Sequence, residues 1–259
     1  MIFVQPQRVL DLEGGINFRE LGGYPTTDGR QVKWQKIMRA GGLDELTPSD
    51  IAALGNYGLR YDIDLRSEHE MTTFPDRLPA KTELIAAPVY PFSQRDSLSG
   101  LNIQLKEPQW AMFSQVYQQM IADPHPQQAW RAIFQAMLDA TSARESVVFH
   151  CAAGKDRTGV GAMLVLSALK VVPEIIKRDY LLTNQIFSAD TRQSIEQIVA
   201  QNEHDALTNR MNQTLSVEDA NFEAVFATIQ AFGGIDRYLI NQLGFTAADI
   251  DTLRTNYLE

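Results

Sequence analysis

The chain has 259 residues, of which 44% are hydrophobic and 21% charged, so it is long enough to bury a large core. Its 23 Lys and Arg residues stand against 32 Asp and Glu residues, which gives a net charge of −9. This balance argues against a general nucleic-acid binder and against a polybasic membrane-surface protein, because both need positive charge. An anion-binding site in this chain must therefore be a local positive pocket.

The N-terminus lacks a basic segment followed by a long apolar run, so it does not resemble a secretory signal. The longest apolar run, 160–169, is too short to cross a bilayer, which takes about 20 residues. We expect a cytoplasmic protein without stable membrane insertion, with export by an unmarked route left open. The single cysteine, Cys151, and four scattered histidines offer no metal-ligand spacing, so no metal or other cofactor is predicted.

The N-terminal part alternates turn signals with short strands. Glycine pairs and an Asp-Gly step mark turns at 14–15, 22–23 and 28–29. Strands are predicted at 31–39, 59–65 and 84–89, with a long loop at 91–108. The run Thr47-Pro48-Ser49-Asp50 predicts the start of a helix that ends near 55–58, because it supplies a capping hydroxyl, an N-terminal proline and an acid in the first turn.

Helical periodicity dominates the rest of the chain. It predicts helices at 109–121 and 127–140, separated by Pro124 and Pro126, and a β-branched run predicts a strand at 146–150. Further helices are predicted at about 158–170, 173–183, 188–202, 217–231, 235–243 and 247–257, the last capped by Thr246 with Asp249. Since no linker divides the chain, we predict one α/β domain over 1–259, with a helical insert at about 108–140 and a helical appendage at about 186–259.

The segment after the predicted strand at 146–150 carries the chemistry. The strand ends in His150-Cys151, and Arg157 opens a helix after a short Gly-containing loop. A tight loop between a strand and a helix N-terminus directs successive N–H groups into one concavity, and the helix dipole adds positive potential there. Arg157 adds a planar fork of donors suited to phosphate. The same field favours the thiolate form of Cys151, which is a nucleophile placed under a bound phosphate. The predicted phosphate-binding residues are Ala152, Ala153, Gly154, Lys155, Asp156 and Arg157.

The alternative is that Cys151 is a buried apolar filler, which is the usual role of a lone cysteine. That interpretation leaves Gly154, Arg157 and Gly159, all in register after a strand, without a reason. A nucleotide-binding Walker loop is a poor match, because Gly154-Lys155 is followed by Asp156 rather than by Ser or Thr.

The run His-Cys-x5-Arg-Thr-Gly at 150–159 resembles the signature loop of the cysteine-dependent protein tyrosine phosphatases. The Ala-Gly-Lys-Asp inside it resembles one bacterial branch, akin to the secreted mycobacterial and listerial enzymes. Three further segments are similar to that branch: Asn-Phe-Arg-Glu-Leu-Gly-Gly at 17–23, Asp-Leu-Arg-Ser at 64–67 and Asp-Tyr-Leu-Leu-Thr-Asn at 179–184. Glu20 stands where the branch has Asp, and Ala40 where it has Ser.

The resemblance implies a cysteine-phosphatase fold, with a central, mostly parallel sheet flanked by helices and a helical C-terminal extension. It also implies that the helix at 109–121, whose apolar stripe includes Trp110 and Tyr117, covers the site as a lid; core packing is the simpler alternative. The implied substrates are phosphotyrosine proteins, with phosphoserine, phosphothreonine or phosphoinositides in addition.

The resemblance also implies residue roles. Cys151 is the nucleophile and forms a phosphocysteine, and Arg157 holds the equatorial phosphoryl oxygens. Thr158 assists hydrolysis of the intermediate, or is a plain helix-start residue. His150 orients the loop. Lys155 contacts a second phosphate, or is a solvated side chain.

The general acid is left open between two leading candidates. Asp156 lies within the loop, and the resemblance favours it. Asp64 ends its strand, and the carboxyl ends of parallel strands meet at one edge of a sheet, which brings Asp64 towards Cys151. Its alternative role is an ion pair with Arg66, a supporting residue. Asp96 and Asp123, in loops upstream of the signature segment, are further candidates.

The sequence therefore predicts a metal-free protein tyrosine phosphatase that acts through phosphocysteine. A catalytically silent phospho-binding module would use the same loop. A sulfurtransferase also suits a cysteine beneath an anion-binding loop, whereas arsenate reduction needs resolving thiols that a chain with one cysteine lacks.

Overall fold

The computed structural model describes residues 7–93, 97–101, 111–186 and 216–259. Within them lies a five-stranded sheet of β1 (Arg19–Glu20), β2 (Ile37–Ala40), β3 (Leu59–Asp64), β4 (Glu83–Ala86) and β5 (Ser146–His150). The spatial order is β1-β2-β5-β3-β4. All neighbouring strands are parallel except β1 and β2, which confirms the mostly parallel α/β sheet.

Nine helices are described. They are α1 (Pro48–Tyr57), α2 (Glu68–Thr73), α3 (Ala111–Ala122), α4 (Pro124–Asp139), α5 (Arg157–Ala168), α6 (Pro173–Ile186), α7 (Asp219–Ala231), α8 (Ile235–Asn241) and α9 (Ala247–Tyr257). The helix predicted at 188–202 lies outside the described residues. No described helix is both long and apolar enough to cross a bilayer.

The central strand β5 is buried along its whole length. Val147 and Phe149 enter the larger apolar cluster, and Val148 enters a smaller one that includes Leu54 of α1. Alternate residues of a strand face opposite sides of the sheet, so β5 is covered on both faces. This is why its sequence is a continuous apolar run.

The carboxyl ends of three strands meet at one edge of the sheet. His150, the last residue of β5, pairs with Ala40 at the end of β2 and with Asp64 at the end of β3. The segment that begins at Cys151 therefore leaves the sheet between two neighbouring strand ends, which is where ligands bind in parallel α/β sheets.

Two strand predictions were too long. The strand expected at 31–39 is regular only over Ile37–Ala40, because Val32 pairs instead with Leu258 at the end of the chain. The strand expected at 84–89 is Glu83–Ala86, although Ala87 and Val89 continue to donate to carbonyls along the β3 side.

The helix predictions were wrong at two places. Pro124 and Pro126 do not separate helices but lie in the first turn of α4, where a missing N–H costs little and Asp123 is the cap. Helix α2 was not predicted, although Ser67 and Glu70 form a complete capping box at its start. The predicted caps of α1 and α9, at Thr47 and Thr246, are confirmed, each with a reciprocal acid.

Candidate active site

The loop from Cys151 to Asp156 joins β5 to α5, and its backbone carbonyls are held from outside. Gly42 N donates to the Ala152 carbonyl at 2.9 Å. Asn17 Nδ2 donates to the carbonyls of Ala153 and Gly154 at 3.2 and 2.8 Å. In a trans peptide the N–H points opposite to the C=O. The amides that follow these three carbonyls are therefore directed into the concavity above Cys151.

Gly154 is required by the geometry of this loop. Its φ is +68°, and a Cβ there would lie 2.5 Å from the backbone of Ala40. Both features exclude a larger residue. Helix α5 begins directly after the loop without a side-chain cap, so its N-terminal amides and dipole also favour an anion.

Arg157 is clamped by a buried carboxylate. Its Nη1 and Nη2 atoms donate to Glu70 Oε2 and Oε1 at 2.7 and 2.9 Å. Burial alone would raise the pKa of Glu70, but the charge and hydrogen bonds of Arg157 outweigh it and lower the pKa to about 2. Because Glu70 also accepts from Ser67 N at 2.8 Å, the capping box of α2 fixes the guanidinium.

A buried ionic group supports the loop from behind. Asp179 on α6 accepts from Arg19 Nε at 3.1 Å and from Arg39 Nη1 at 2.6 Å. Burial alone would raise the pKa of Asp179, but the two arginines have the larger effect and lower that pKa to about 2. Arg39 Nη2 then donates to the Gly154 carbonyl at 2.9 Å, and Arg19 Nη1 donates to Asn17. The segments at 17–23 and 179–184 therefore meet beneath the loop.

Asp156 and Lys155 contact each other instead of solvent. Lys155 Nζ donates to Asp156 Oδ2 at 2.6 Å, and Lys155 is only 1% exposed, so its interpretation as a solvated side chain was wrong. The Tyr117 hydroxyl of α3 donates to Asp156 Oδ1, and Tyr180 of α6 donates to Tyr117 at 2.9 Å. Tyr117 is fully buried and belongs to the large core cluster, whereas Trp110 lies outside the described residues.

Asp64 lies at the same sheet edge but in a different setting. Its two oxygens accept from Arg66 Nε and Nη2 at 3.0 and 2.7 Å, and Arg66 Nη2 also donates to Asp76 at 2.8 Å. Asp64 therefore has the ion pair that sequence analysis gave as its alternative role.

His150 is enclosed by carboxylates at the end of β5. Its Nε2 lies 3.3 Å from Asp62 Oδ1 and 3.3 Å from Asp76 Oδ2. Burial lowers the pKa of the imidazole, but Asp64, Asp62 and Asp76 outweigh it and raise that pKa well above its usual value. Burial raises the pKa of Asp62 to about 6.

Asp62, Asp76 and His150 have atoms of the kind that ligate metals within 4.8 Å of one another. Arg66 already supplies a cation to Asp76.

Of the other candidate residues, Thr158 and Asp123 make structural contacts, and Asp96 lies outside the described residues. Thr158 is fully buried, and its hydroxyl donates to the Ala40 carbonyl at 3.3 Å. Asp123 caps α4 through His125 N at 2.9 Å and holds Ser93 N at 3.0 Å. Asp96 falls among the residues that the structure does not describe.

The sequence did not identify Glu70 or Arg39 as parts of the site, and it connected Tyr117 with the site only through the lid helix that the resemblance implies. The Ser-x-x-Glu spacing at 67–70 was a signal for a helix start, but nothing local connects it to Arg157. Glu20, which replaces the Asp of the resembled branch, is buried and accepts from Gly22 N at 3.1 Å and from the Tyr57 hydroxyl. The longer side chain of Glu20 therefore stabilises the turn after β1. These contacts do not connect it to the loop from Cys151 to Asp156.

Comparisons with known proteins identify the family of the chain. The sequence profile described as "Tyrosine phosphatase family" matches residues 10–259. A protein of Cupriavidus necator, provisionally named a tyrosine-protein phosphatase, is 28% identical over 258 residues, covering 98% of this chain and 90% of its own. A tyrosine-protein phosphatase of Nostoc commune is 30% identical over 66% of this chain and 56% of its own length. The triple specificity protein phosphatase PtpB of Mycobacterium tuberculosis is 26% identical over 68% of this chain and 69% of its own. The chain therefore belongs to the tyrosine phosphatase family and is an enzyme of that family.

Proposed function

We propose that this phosphatase hydrolyses phosphomonoesters through a phosphocysteine formed on Cys151. The observation that carries the proposal is the loop itself: its carbonyls are bonded on the outer side, and Arg157 is fixed by Glu70. A phosphoryl group above Cys151 would meet inward amides, the N-terminus of α5 and a guanidinium. These donors stabilise the charge that develops on equatorial oxygens during transfer.

In the first step the Cys151 thiolate attacks phosphorus. The S–P bond forms, the bond to the leaving oxygen breaks, and that oxygen takes a proton from the general acid. We assign this role to Asp156, because it lies within the loop that holds the phosphoryl group. Asp64 lies outside that loop, and its ion pair with Arg66 is assigned to holding the sheet edge.

In the second step water attacks the phosphocysteine. Asp156, now ionised, accepts a proton from that water, the S–P bond breaks, and inorganic phosphate leaves with the thiolate restored. Thr158 lies at the start of α5, and its hydroxyl, which donates to Ala40, holds the helix start against the end of β2. Thr158 would therefore assist hydrolysis by positioning the start of α5.

The proposed substrate range begins with phosphotyrosine proteins and extends to phosphoserine, phosphothreonine or phosphoinositides. The triple-specificity name of the mycobacterial relative supports that breadth. Lys155 would reach a second phosphate only by releasing Asp156, which its Nζ contacts at 2.6 Å. A cytoplasmic location stays a prediction of the sequence.

The test is phosphate release from phosphotyrosine peptides, phosphoserine peptides and phosphoinositides, measured with a chelator present. Cys151→Ser removes the nucleophile, and Arg157→Lys keeps the charge but removes the fork. We expect chelator-resistant turnover that is lost in Cys151→Ser and strongly reduced in Arg157→Lys. Absence of turnover from folded, reduced protein would overturn the proposal. Retained phosphopeptide binding would then indicate a binding module, and persulfide formation on Cys151 with thiosulfate would indicate sulfur transfer.

A further inference from the structure

Tyr90 differs from the other buried tyrosines in the described part of the chain. Four of them, Tyr117, Tyr180, Tyr238 and Tyr257, each donate their hydroxyl to a protein oxygen. Tyr90 is only 2% exposed, and within the described residues its hydroxyl has no hydrogen-bond partner. A buried hydroxyl without a partner costs free energy, so native structures rarely retain one without a reason.

The position of Tyr90 supplies that reason. The guanidinium carbon of Arg157 lies 5.3 Å from the centroid of its ring, and Phe92 packs edge-on against the ring at 5.3 Å. Burial raises the pKa of the Tyr90 hydroxyl well above its usual range, Arg157 opposes that shift, and the charges of Asp156 and Cys151 add to it. The ring of Tyr90 therefore lies beside Arg157, and its hydroxyl remains a protonated donor.

We infer that the Tyr90 hydroxyl donates a hydrogen bond to the phosphoryl group bound over Cys151, as a phosphate-binding residue in addition to the loop amides and Arg157. The inference rests on the proposed function for the presence of a phosphoryl group at that place. An oxyanion there would give the hydroxyl the acceptor that the protein does not provide. A hydrogen bond to a charged acceptor is also stronger than a neutral one.

The test separates binding from turnover by using tungstate, an oxyanion similar in shape to phosphate, and Cys151→Ser protein. Titration calorimetry measures tungstate affinity in Cys151→Ser alone, with Tyr90→Phe added, and with Tyr257→Phe added as the control. Tyr257 is equally buried, but its hydroxyl donates to the Met137 carbonyl at 2.9 Å. We expect Tyr90→Phe to weaken tungstate binding about 10- to 100-fold, and Tyr257→Phe to leave it unchanged.

Thermal unfolding of the same variants, without ligand, shows whether the hydroxyl has a structural role. Tyr90→Phe removes an unpartnered group and should unfold at the same temperature as its parent or higher, whereas Tyr257→Phe should unfold at a lower temperature.

Unchanged tungstate affinity in Tyr90→Phe would overturn the inference and leave the proposed function standing. So would a loss of affinity accompanied by lower thermal stability, since the hydroxyl would then act within the protein. Absence of tungstate binding by Cys151→Ser itself would overturn both the inference and the proposed anion site.

Discussion

Replacing Glu70 with Gln tests the clamp on Arg157. The substitution keeps the size of the side chain but removes the charge that both guanidinium nitrogens contact. The pKa of Glu70 falls from 4.5 to about 2 in the folded protein. At about 1.4 kcal/mol per pH unit, this corresponds to roughly 3 kcal/mol of stability at neutral pH. We therefore expect Glu70→Gln to lower the free energy of unfolding by about 3 kcal/mol at pH 7.

The stability that the Glu70 carboxylate contributes should depend on pH, and the direction of that dependence follows from its lowered pKa. A carboxyl whose pKa is lowered by folding stabilises the protein above the pKa of the unfolded chain, and that contribution is lost as the pH falls towards the folded value. For Glu70 the contribution is complete well above pH 4.5 and is lost as the pH falls through about 2. Glutamine does not titrate, so the gap between wild type and variant should narrow from about 3 kcal/mol at pH 7 to about 2 kcal/mol near pH 3.5.

The assay is urea unfolding of both proteins at a series of pH values between these limits, with kcat/KM measured at neutral pH. Glu68→Gln, on the exposed side of the same helix, controls for the loss of one negative charge. We expect Glu70→Gln to lower kcat/KM by about 10- to 100-fold, because an unclamped guanidinium binds the transition state less well. A gap that stays constant with pH, or a variant as active as Glu68→Gln, would refute the reasoning.

Four further substitutions test the loop and the general acid. Asp156→Asn should lower kcat on phosphoserine by about 10²- to 10⁴-fold and lower it less on aryl phosphates, whose leaving groups need little protonation. Asp64→Asn should lower stability and reduce both activities equally. Asn17→Ala removes the donor to two loop carbonyls and should cost about 2 kcal/mol in urea unfolding. Gly154→Ala places a Cβ 2.5 Å from the backbone of Ala40 and should abolish tungstate binding in calorimetry.

Each of these expectations has a contrary outcome. A selective loss on phosphoserine in Asp64→Asn, with Asp156→Asn unaffected, would exchange the two roles. Wild-type stability in Asn17→Ala would show that its contacts to the loop carry no energy. Normal tungstate affinity in Gly154→Ala would show that the loop does not need its left-handed residue.

The local part of the site could be predicted from the sequence because its chemistry lies in one short segment. The strand at 146–150, Cys151, Gly154 and Arg157 follow one another, and each residue type has a direct physical role there. The α/β class was equally accessible, since a continuous apolar strand followed by a glycine loop and a helix is typical of parallel sheets. The structure confirms the strand at Ser146–His150 and a helix that begins at Arg157.

The supporting contacts were not accessible, because they join residues that are far apart along the chain. Glu70 meets Arg157 across 87 positions, and Arg19 meets Asp179 across 160. For Lys155 the sequence left two roles open, a contact to a second phosphate and a solvated side chain, whereas the side chain is buried against Asp156. Secondary-structure patterns contain no information on such pairs, which depend on how the helices pack against the sheet edge.

The most direct test of the account is to trap the covalent intermediate on Cys151. Wild-type protein is mixed with a phosphotyrosine peptide, quenched rapidly in acid, digested and analysed by mass spectrometry. The account predicts one phosphoryl group on the peptide that contains Cys151, with neither adduct nor turnover in Cys151→Ser. A phosphoryl group on another residue, or turnover retained in Cys151→Ser, would contradict it.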